Sequence, residues 1–188
     1  MIRTGSYENI KTGNCISISG DGGKGAGFEG KVYKRLAPKL GFWQEWHNNS
    51  ELITEEAQVN QLQASASSLH GSASANARVT SACLPLSERQ NNNFYIREYY
   101  NQVLKNLDAR EVLEDIEDMG NPTLLCYESP DEFCHRHIVS AWFELELNIS
   151  TAEVDAKGNH LKRPNYIKSE LSKVMQQKSM QIEERALR

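Results

Sequence analysis

The sequence predicts a single α/β domain in which a small, mainly parallel sheet is flanked by helices, with a flexible insertion and a long C-terminal helix. Two short strands rich in β-branched residues lie near the start of the chain, at residues 1–7 and 14–19. A third segment, TLLCYE at residues 123–128, is apolar over most of its length, which is typical of a strand covered on both faces. The chain has 188 residues, the usual length of one domain.

The segments between these strands carry helical spacing. Residues 28–49 have apolar residues at helical intervals but are broken by Pro38, so we expect two short helices around it. An apolar stripe at three- and four-residue spacing predicts a helix over residues 94–107. Asp108 then offers an N-cap side chain for a further helix, which Gly120 ends.

Residues 57–90 differ in composition from the rest of the chain. They are rich in Ser, Ala, Asn and Gln and contain no aromatic residue. Such a segment buries too little apolar surface to offset the loss of chain entropy. We therefore expect a flexible insertion, with an Ala-rich helix as the alternative.

The last part of the chain predicts two more helices. A serine–proline pair after the TLLCYE strand resembles a helix start, and the apolar residues beyond it lie on one helical face. Residues 166–188 form a polar helix with a narrow apolar stripe. We expect this helix to pack on the core or on a second copy of the chain, which would give a homodimer. The expected organisation is an α/β domain over residues 1–164, interrupted at about 57–90, and a C-terminal helix over 165–188.

Composition limits the class of protein. The net charge of −4 and the pI near 5.8 argue against constitutive nucleic-acid binding, which needs a basic surface. The start lacks the apolar run of a secretory signal, and no segment is apolar for long enough to span a membrane. Four cysteines in such a chain are expected to stay reduced, so the sequence predicts a cytoplasmic protein.

The stretch GDGGKGAGFEGK resembles two kinds of phosphate-binding loop. Gly20, Gly22 and Gly25 satisfy G-x-G-x-x-G after a strand, and the pattern G-x-x-x-x-G-K also matches. Val32 stands where a nucleoside-triphosphate loop needs Ser or Thr to hold magnesium, and further glycines interrupt the helix of a dinucleotide site. We therefore expect no bound cofactor. An active-site loop carrying Lys24 and a plain surface loop both stay open.

Reactive side chains are most concentrated in the segment CYESPDEFCHRHI at residues 126–138. Cys126, Cys134, His135 and His137 are suited to zinc, but the spacing C-x7-C-H-x-H is not a usual zinc spacing. The sequence therefore predicts no metal. Cys134 falls near the start of a helix beside cationic neighbours, which favours a thiolate.

Arg136, in the same segment, offers a planar fork of donors that suits a phosphate or a carboxylate. Three interpretations of the segment thus stay open. The first is an activated thiol at Cys134, and the second is an anion pocket with an inert cysteine. The third is a structural cysteine beside an ordinary helix start.

The run LLCYESPDEFCHRHIVSAWF resembles the signature of domain-of-unknown-function family 488, which also contains the YeaO-like proteins. The pieces TGSY, CISIS, KRLAPKL and YYNQVLKNLDAREVLEDI precede it in the family's order, so the resemblance covers most of residues 1–147. It implies an α/β domain whose pocket is formed by the strand with Cys126 and the helix that begins near Cys134. It further implies that this pocket is lined by Thr4, Ser6 and Tyr7. The family has no established activity to carry over.

The sequence thus predicts a protein that binds a small anionic ligand, such as a nucleotide or another phosphate or carboxylate compound, with or without thiol-based catalysis. Cys134 would be the nucleophile and His135 the acid or base. The residues expected to bind the ligand are Arg136, Cys126, Tyr7, Ser6, Thr4 and Lys24. The alternatives are a non-enzymatic binding or interaction module and a small zinc-binding domain.

Overall fold

The computed structural model describes residues 1–10, 12–69 and 87–186 of the chain. The described chain divides into two units, one made of Met1–Leu40 with Ile96–Arg188 and the other of Gly41–Tyr95. The first unit contains a parallel sheet with helices, so the predicted α/β fold class is confirmed.

The strands are β1 (Ile2–Ser6), β2 (Cys15–Ser17), β3 (Lys31–Val32), β4 (Thr123–Cys126) and β5 (Thr151–Glu153). Among the described residues they form one sheet in the order β3-β2-β4-β1-β5, and every neighbouring pair is parallel. The three predicted strands correspond to β1, β2 and β4. All four residues of β4 are buried, as expected for a strand covered on both faces.

The helices are α1 (Leu40–Leu69), α2 (Glu88–Gln102), α3 (Ala109–Asp118), α4 (His135–Glu146) and α5 (Ile167–Ala186). The predicted cap of α3 is present: Asp108 Oδ1 accepts from the backbone N–H of Arg110 at 2.8 Å and of Glu111 at 3.1 Å. Gly120 follows the end of α3 with φ of +81°, which glycine adopts without steric cost. No helix over the described residues has the length and apolar character needed to cross a membrane.

The predicted helix before Pro38 is wrong. The segment contains β3 and a short 3-10 turn at Lys34–Leu36, and α1 begins only after the proline. Ala37 has extended backbone angles, which is what a following proline favours. The exposed β3 is ordered by its pairing with β2 and not by a helical apolar face.

The Ser- and Ala-rich segment is helical where the structure describes it. Residues 57–69 continue α1, and residues 88–90 begin α2. The helical alternative holds for these residues because Ala, Gln and Leu are good helix formers. Residues 70–86, which include Cys83, lie outside the described residues, and the flexible insertion stays a prediction there.

Helix α4 begins later than the serine–proline pair suggests. The backbone N–H of Ser129 donates to Glu132 Oε2 at 2.9 Å, which closes a turn instead of a helix. Cys134 is the N-cap of α4 and has extended backbone angles. The reactive segment therefore enters the helix at Cys134.

Helix α4 contacts much of the first unit: β1, β4, β5, α3 and α5. Its residues Ile138, Trp142 and Phe143 are buried. Ile167 and Leu171 of α5 are buried as well, and α5 packs against α4. Packing on the core is thus the predicted option that the structure shows for the C-terminal helix. The homodimer stays a prediction.

The second unit is held together by aromatic and amide contacts. Tyr95 packs edge-on against Phe42 and Trp46, with ring centroids 5.1 and 5.3 Å apart. Trp46 Nε1 donates to Asn92 Oδ1 at 3.0 Å, and Asn91 Nδ2 donates to the Trp46 carbonyl at 2.9 Å. Trp46 is therefore a packing residue with a satisfied ring nitrogen.

Candidate functional site

The carboxyl ends of β1, β2 and β4 meet at one edge of the sheet, because these neighbouring strands are parallel. Ligand sites of open α/β sheets lie at this edge. β4 ends at Cys126, and after a short loop Cys134 caps α4. The first turn of α4 carries His135, Arg136 and His137, all buried. The segment from Cys126 to His137 therefore lies at the edge of the sheet where ligand sites form.

Three side chains converge into one buried group, which we call the Cys–His cluster: Cys126, Cys134 and His135. His135 Nδ1 lies 3.6 Å from Cys126 Sγ and 3.9 Å from Cys134 Sγ. The donor atoms of all three residues lie within 4.8 Å of one another, close enough for one metal ion to contact them all. Each of the three residues is at most 5% exposed.

A backbone carbonyl fixes the orientation of the His135 ring. Nε2 lies 3.0 Å from the carbonyl oxygen of Ile18, which can only accept a hydrogen bond, so Nε2 carries a proton and donates it. In the neutral ring, Nδ1 is therefore unprotonated. Cys126 Sγ lies 3.6 Å from Nδ1 and 3.8 Å from Nε2, so this sulfur atom is beside the ring and not along the lone pair of Nδ1. The Tyr99 ring also packs against His135, with centroids 5.6 Å apart.

The residues of the cluster have opposite pKa shifts. Burial alone would raise the pKa of Cys134, but the Cys126 thiol, the Arg136 guanidinium and the His135 ring lower it well below its usual range. Burial, together with Cys134, raises the pKa of Cys126 well above its usual range. Burial would lower the pKa of His135, but the charge of Cys134 raises it. These interactions favour a thiolate at Cys134 beside a neutral Cys126.

Arg136 lies beside the cluster and is fully buried. Its Nε donates to Glu153 Oε1 at 3.0 Å, and its Nη2 donates to the Ser129 carbonyl at 3.0 Å. The remaining nitrogen, Nη1, has no hydrogen-bond partner among the described residues. It lies 3.9 Å from Glu128 Oε2, which has none there either. Arg136 thus uses Nε and Nη2 inside the protein, and Nη1 has no hydrogen-bond partner among the described residues.

Glu128 marks the side of the site nearest to solvent, since its side chain is 29% exposed. Burial and the neighbouring Cys134 raise the pKa of Glu128 to about 8. A carboxyl group with this pKa is mostly protonated at neutral pH and can donate a hydrogen bond. The raised pKa of Glu128 cannot be predicted from the sequence, because Glu128 is one of several carboxylates in the segment.

Glu153 on β5 is a site residue that the sequence analysis missed. Its Oε1 accepts from Arg136, and its Oε2 accepts from Thr4 Oγ1 at 2.6 Å and lies 3.4 Å from His137 Nε2. Burial would raise the pKa of Glu153, but His137, Arg136 and Thr4 lower it below its usual value. The only signal in the sequence is a carboxylate inside the apolar run TAEV.

The three predicted ligand residues of β1 have separate partners. Thr4 donates to Glu153, Ser6 Oγ accepts from the backbone N–H of Asn9 at 3.3 Å, and the Tyr7 hydroxyl pairs with a serine of β2 at 2.6 Å. All three side chains are buried. Each hydroxyl oxygen thus has a hydrogen-bond partner within the protein, and contact of these residues with a ligand stays a prediction.

In the glycine loop GDGGKGAGFEGK, backbone N–H groups donate to the side chain of Asp21, which belongs to the same loop. Asp21 accepts from the backbone N–H of Gly23 at 2.9 Å and of Gly25 at 3.0 Å, and the Tyr127 hydroxyl also donates to it. Two backbone donors that could cradle a phosphate are therefore already used. Lys24 in this loop is exposed, and its role in binding a ligand stays a prediction.

The fold and the site define an α/β protein with a buried Cys–His cluster at the carboxyl edge of a parallel sheet. No match to this chain is found among protein-family models, curated proteins or solved structures. The resemblance to domain-of-unknown-function family 488 therefore stays a prediction from the sequence motif.

Proposed function

We propose that the chain binds a small anionic ligand, such as a nucleotide or another phosphate or carboxylate compound, between Glu128 and the first turn of α4. The observation that carries the proposal is Arg136 Nη1, a buried donor without a hydrogen-bond partner among the described residues. An unpaired buried donor is costly, so an acceptor supplied by a ligand would stabilise it. The first N–H groups of α4 also lack acceptors within the helix and attract negative charge.

The surroundings of Arg136 also limit how tightly such a ligand is held. Glu153 already balances the charge of the guanidinium at 3.0 Å. The anion would therefore be held by one guanidinium nitrogen and the helix N-terminus, and not by a free bidentate fork. We expect a modest affinity that depends on the shape of the ligand as well as on its charge.

Isothermal titration calorimetry with inorganic phosphate, acetate and a nucleoside monophosphate tests the proposal. We expect saturable binding of at least one probe, and at least a tenfold loss of that affinity in Arg136→Lys, because an ammonium group cannot replace the guanidinium fork. Arg35→Lys is the matched control, since Arg35 forms ion pairs at the surface. Absence of binding by all three probes, or unchanged affinity in Arg136→Lys, contradicts the proposal.

Glu128→Gln provides a second variant at the same site. Glu128 is partly exposed and lies 3.9 Å from Arg136 Nη1, so the substitution leaves the buried Arg136–Glu153 pair in place. Glu128 is mostly protonated near neutral pH, so we expect little change in affinity there. Above its pKa of about 8 the carboxylate repels an anion, so Glu128→Gln should then bind the anion more tightly than the wild type. Equal affinities above this pH would mean that the anion does not lie beside Glu128.

Thiol-based catalysis is the second candidate function, favoured by the position of Cys134 Sγ among the Cys126 thiol, the His135 ring and the Arg136 guanidinium. Cys134 would attack an electrophilic centre of the ligand, and His135 would exchange protons with it. Alkylation with iodoacetamide followed by mass spectrometry tests this role. Cys134 should react faster than Cys15, a more exposed reference thiol. A Cys134 that stays unmodified while Cys15 reacts contradicts thiol-based catalysis.

The described cysteines Cys15, Cys126 and Cys134 are free. Free thiols are usual in reducing compartments, so we propose the cytoplasm as the location of the protein. The resemblance to family 488 supports the same site, because the motif that carries it contains Cys126, Cys134 and Arg136.

A further inference from the structure

We infer that the Cys–His cluster binds a zinc ion through Cys126, Cys134 and His135, with the fourth position open. The spacing in the sequence argues against zinc, because structural sites usually take their ligands from two separated pairs. The fold changes this argument, since one ligand ends a strand and the other two begin the next helix at the same sheet edge. His137, which the sequence grouped with these residues, lies beside a glutamate instead.

The distances between the donor atoms match a tetrahedral zinc ion. Zinc binds sulfur at about 2.3 Å and imidazole nitrogen at about 2.0–2.1 Å, so a tetrahedral angle separates sulfur from nitrogen by about 3.6 Å. The observed distances from His135 Nδ1 are 3.6 Å to Cys126 Sγ and 3.9 Å to Cys134 Sγ. Cys126 Sγ also lies 3.8 Å from Nε2, off the lone-pair direction of Nδ1, so zinc binding requires the Cys126 side chain or the His135 ring to turn.

The hydrogen bond at Nε2 leaves Nδ1 of His135 available to a metal ion. Histidines that bind metals usually donate the other ring N–H to a carbonyl or carboxylate group, which fixes the ring and aims the lone pair at the metal. Here Nε2 donates to the Ile18 carbonyl at 3.0 Å, so Nδ1 is the free donor atom. Two thiolates and one imidazole form a donor set that favours zinc over magnesium or calcium.

The charges around the Cys–His cluster also favour a zinc ion. Two thiolates neutralise Zn²⁺, while the nearby Arg136 is balanced by Glu153 at 3.0 Å. Glu128 is not one of the described residues whose donor atoms converge at the cluster, so the fourth position of a tetrahedral zinc ion is left open.

The zinc site goes beyond the proposed function, which requires only a free donor on Arg136. With zinc bound, Cys134 is a metal ligand and not a free nucleophile. The metal content of the protein therefore also decides between zinc binding and thiol-based catalysis.

The test is metal binding by the purified full chain. Zinc content is measured by mass spectrometry, and a Co²⁺ titration is followed by absorption spectroscopy. We expect one equivalent of zinc, and a Co²⁺ spectrum with thiolate charge-transfer bands and the d–d bands of tetrahedral coordination. Cys126→Ser and Cys134→Ser should each weaken zinc binding by more than the about 10–100-fold typical of an outer-shell change. Cys15→Ser, the control at a free cysteine outside the cluster, should leave it unchanged.

The Co²⁺ spectrum of the unaltered chain needs no variant, so a folding defect cannot obscure the result. A protein that retains no zinc and gives a Co²⁺ spectrum without thiolate bands overturns the inference. A chain that binds zinc but none of the three anions supports the zinc site and refutes the proposed function. A chain that binds an anion but no zinc supports the proposed function and refutes the zinc site.

Discussion

Replacing Glu153 with Gln should destabilise the fold by about 3–5 kcal/mol, because it removes the charge that balances the buried Arg136. Neither side chain has exposed area, and Arg136 Nε lies 3.0 Å from Glu153 Oε1. A guanidinium group without a counter-charge keeps its desolvation cost and loses the attraction that offset it.

The hydrogen bonds of Glu153 lead to a similar estimate of the stability lost in Glu153→Gln. The carboxylate accepts from Arg136 Nε at 3.0 Å and from Thr4 Oγ1 at 2.6 Å. Gln has a single carbonyl oxygen, so one of these donors would face an NH₂ group and lose its acceptor. A hydrogen bond to a charged group contributes about 1.5–3 kcal/mol, so losing one and weakening the other gives roughly 2–5 kcal/mol.

The loss of stability in Glu153→Gln should depend on pH. Burial would raise the pKa of Glu153, but His137, Arg136 and Thr4 lower it below its usual value. A carboxylate whose pKa is lowered by folding stabilises the protein above the pKa of the unfolded chain, about 4.3 for Glu. That contribution is lost as the pH falls through the folded pKa. The difference between wild type and variant should therefore be large near neutral pH and shrink in acid.

Urea unfolding followed by circular dichroism, near pH 7 and at the most acidic pH below about 4 at which the wild type stays folded, measures this difference. Glu111→Gln is the matched control, because Glu111 forms an exposed ion pair with Arg35 and such pairs contribute about 0–1 kcal/mol. The reasoning is refuted if Glu153→Gln at neutral pH costs no more than the control. It is also refuted if the cost is the same at both pH values.

Three further substitutions test other parts of the fold. Asp108→Ala should cost about 1 kcal/mol in urea unfolding because the N-cap bonds of α3 are lost, and an unchanged midpoint would argue against the cap. Leu171→Ala should cost about 2–5 kcal/mol because this buried residue docks α5; a cost below about 0.5 kcal/mol would mean that α5 is not docked. Gly23→Ala should lower the melting temperature more than Gly13→Ala. Both glycines have positive φ, but only at Gly23 would a Cβ lie 2.7 Å from the Tyr7 hydroxyl, and equal losses would contradict this.

The elements that the sequence predicts correctly are those whose local signal agrees with their surroundings. β4 is mostly apolar and is buried at all four positions. Asp108 has the side chain of an N-cap and bonds to two N–H groups of the helix that follows. In both cases, residues a few positions apart contain the whole signal.

The short strands could not be predicted in this way. β3 and β5 have two and three residues, and they are strands because β2 and β1 supply their hydrogen-bond partners. Glu153 was missed for the same reason. A carboxylate in a buried strand is unfavourable until its partner is known, and Arg136 is 17 residues away in the sequence.

The sequence indicates where the site lies better than what each residue does there. Consecutive helical residues point about 100° apart, so the first turn of α4 sends its side chains in different directions. His135 reaches the Cys–His cluster, whereas Arg136 and His137 approach the two different oxygens of Glu153. The same helical turn therefore builds the site and also anchors α4 to β5.

This double role decides how experiments on Arg136 must be interpreted. A loss of anion binding in Arg136→Lys indicates a ligand site only if the free energy of unfolding of the variant stays close to that of the wild type. Glu128→Gln separates the two roles, because Glu128 lies on the partly exposed side and the Arg136–Glu153 pair remains intact. Tighter anion binding by Glu128→Gln above about pH 8, without a change in stability, would therefore place the anion beside Glu128 and the free nitrogen of Arg136.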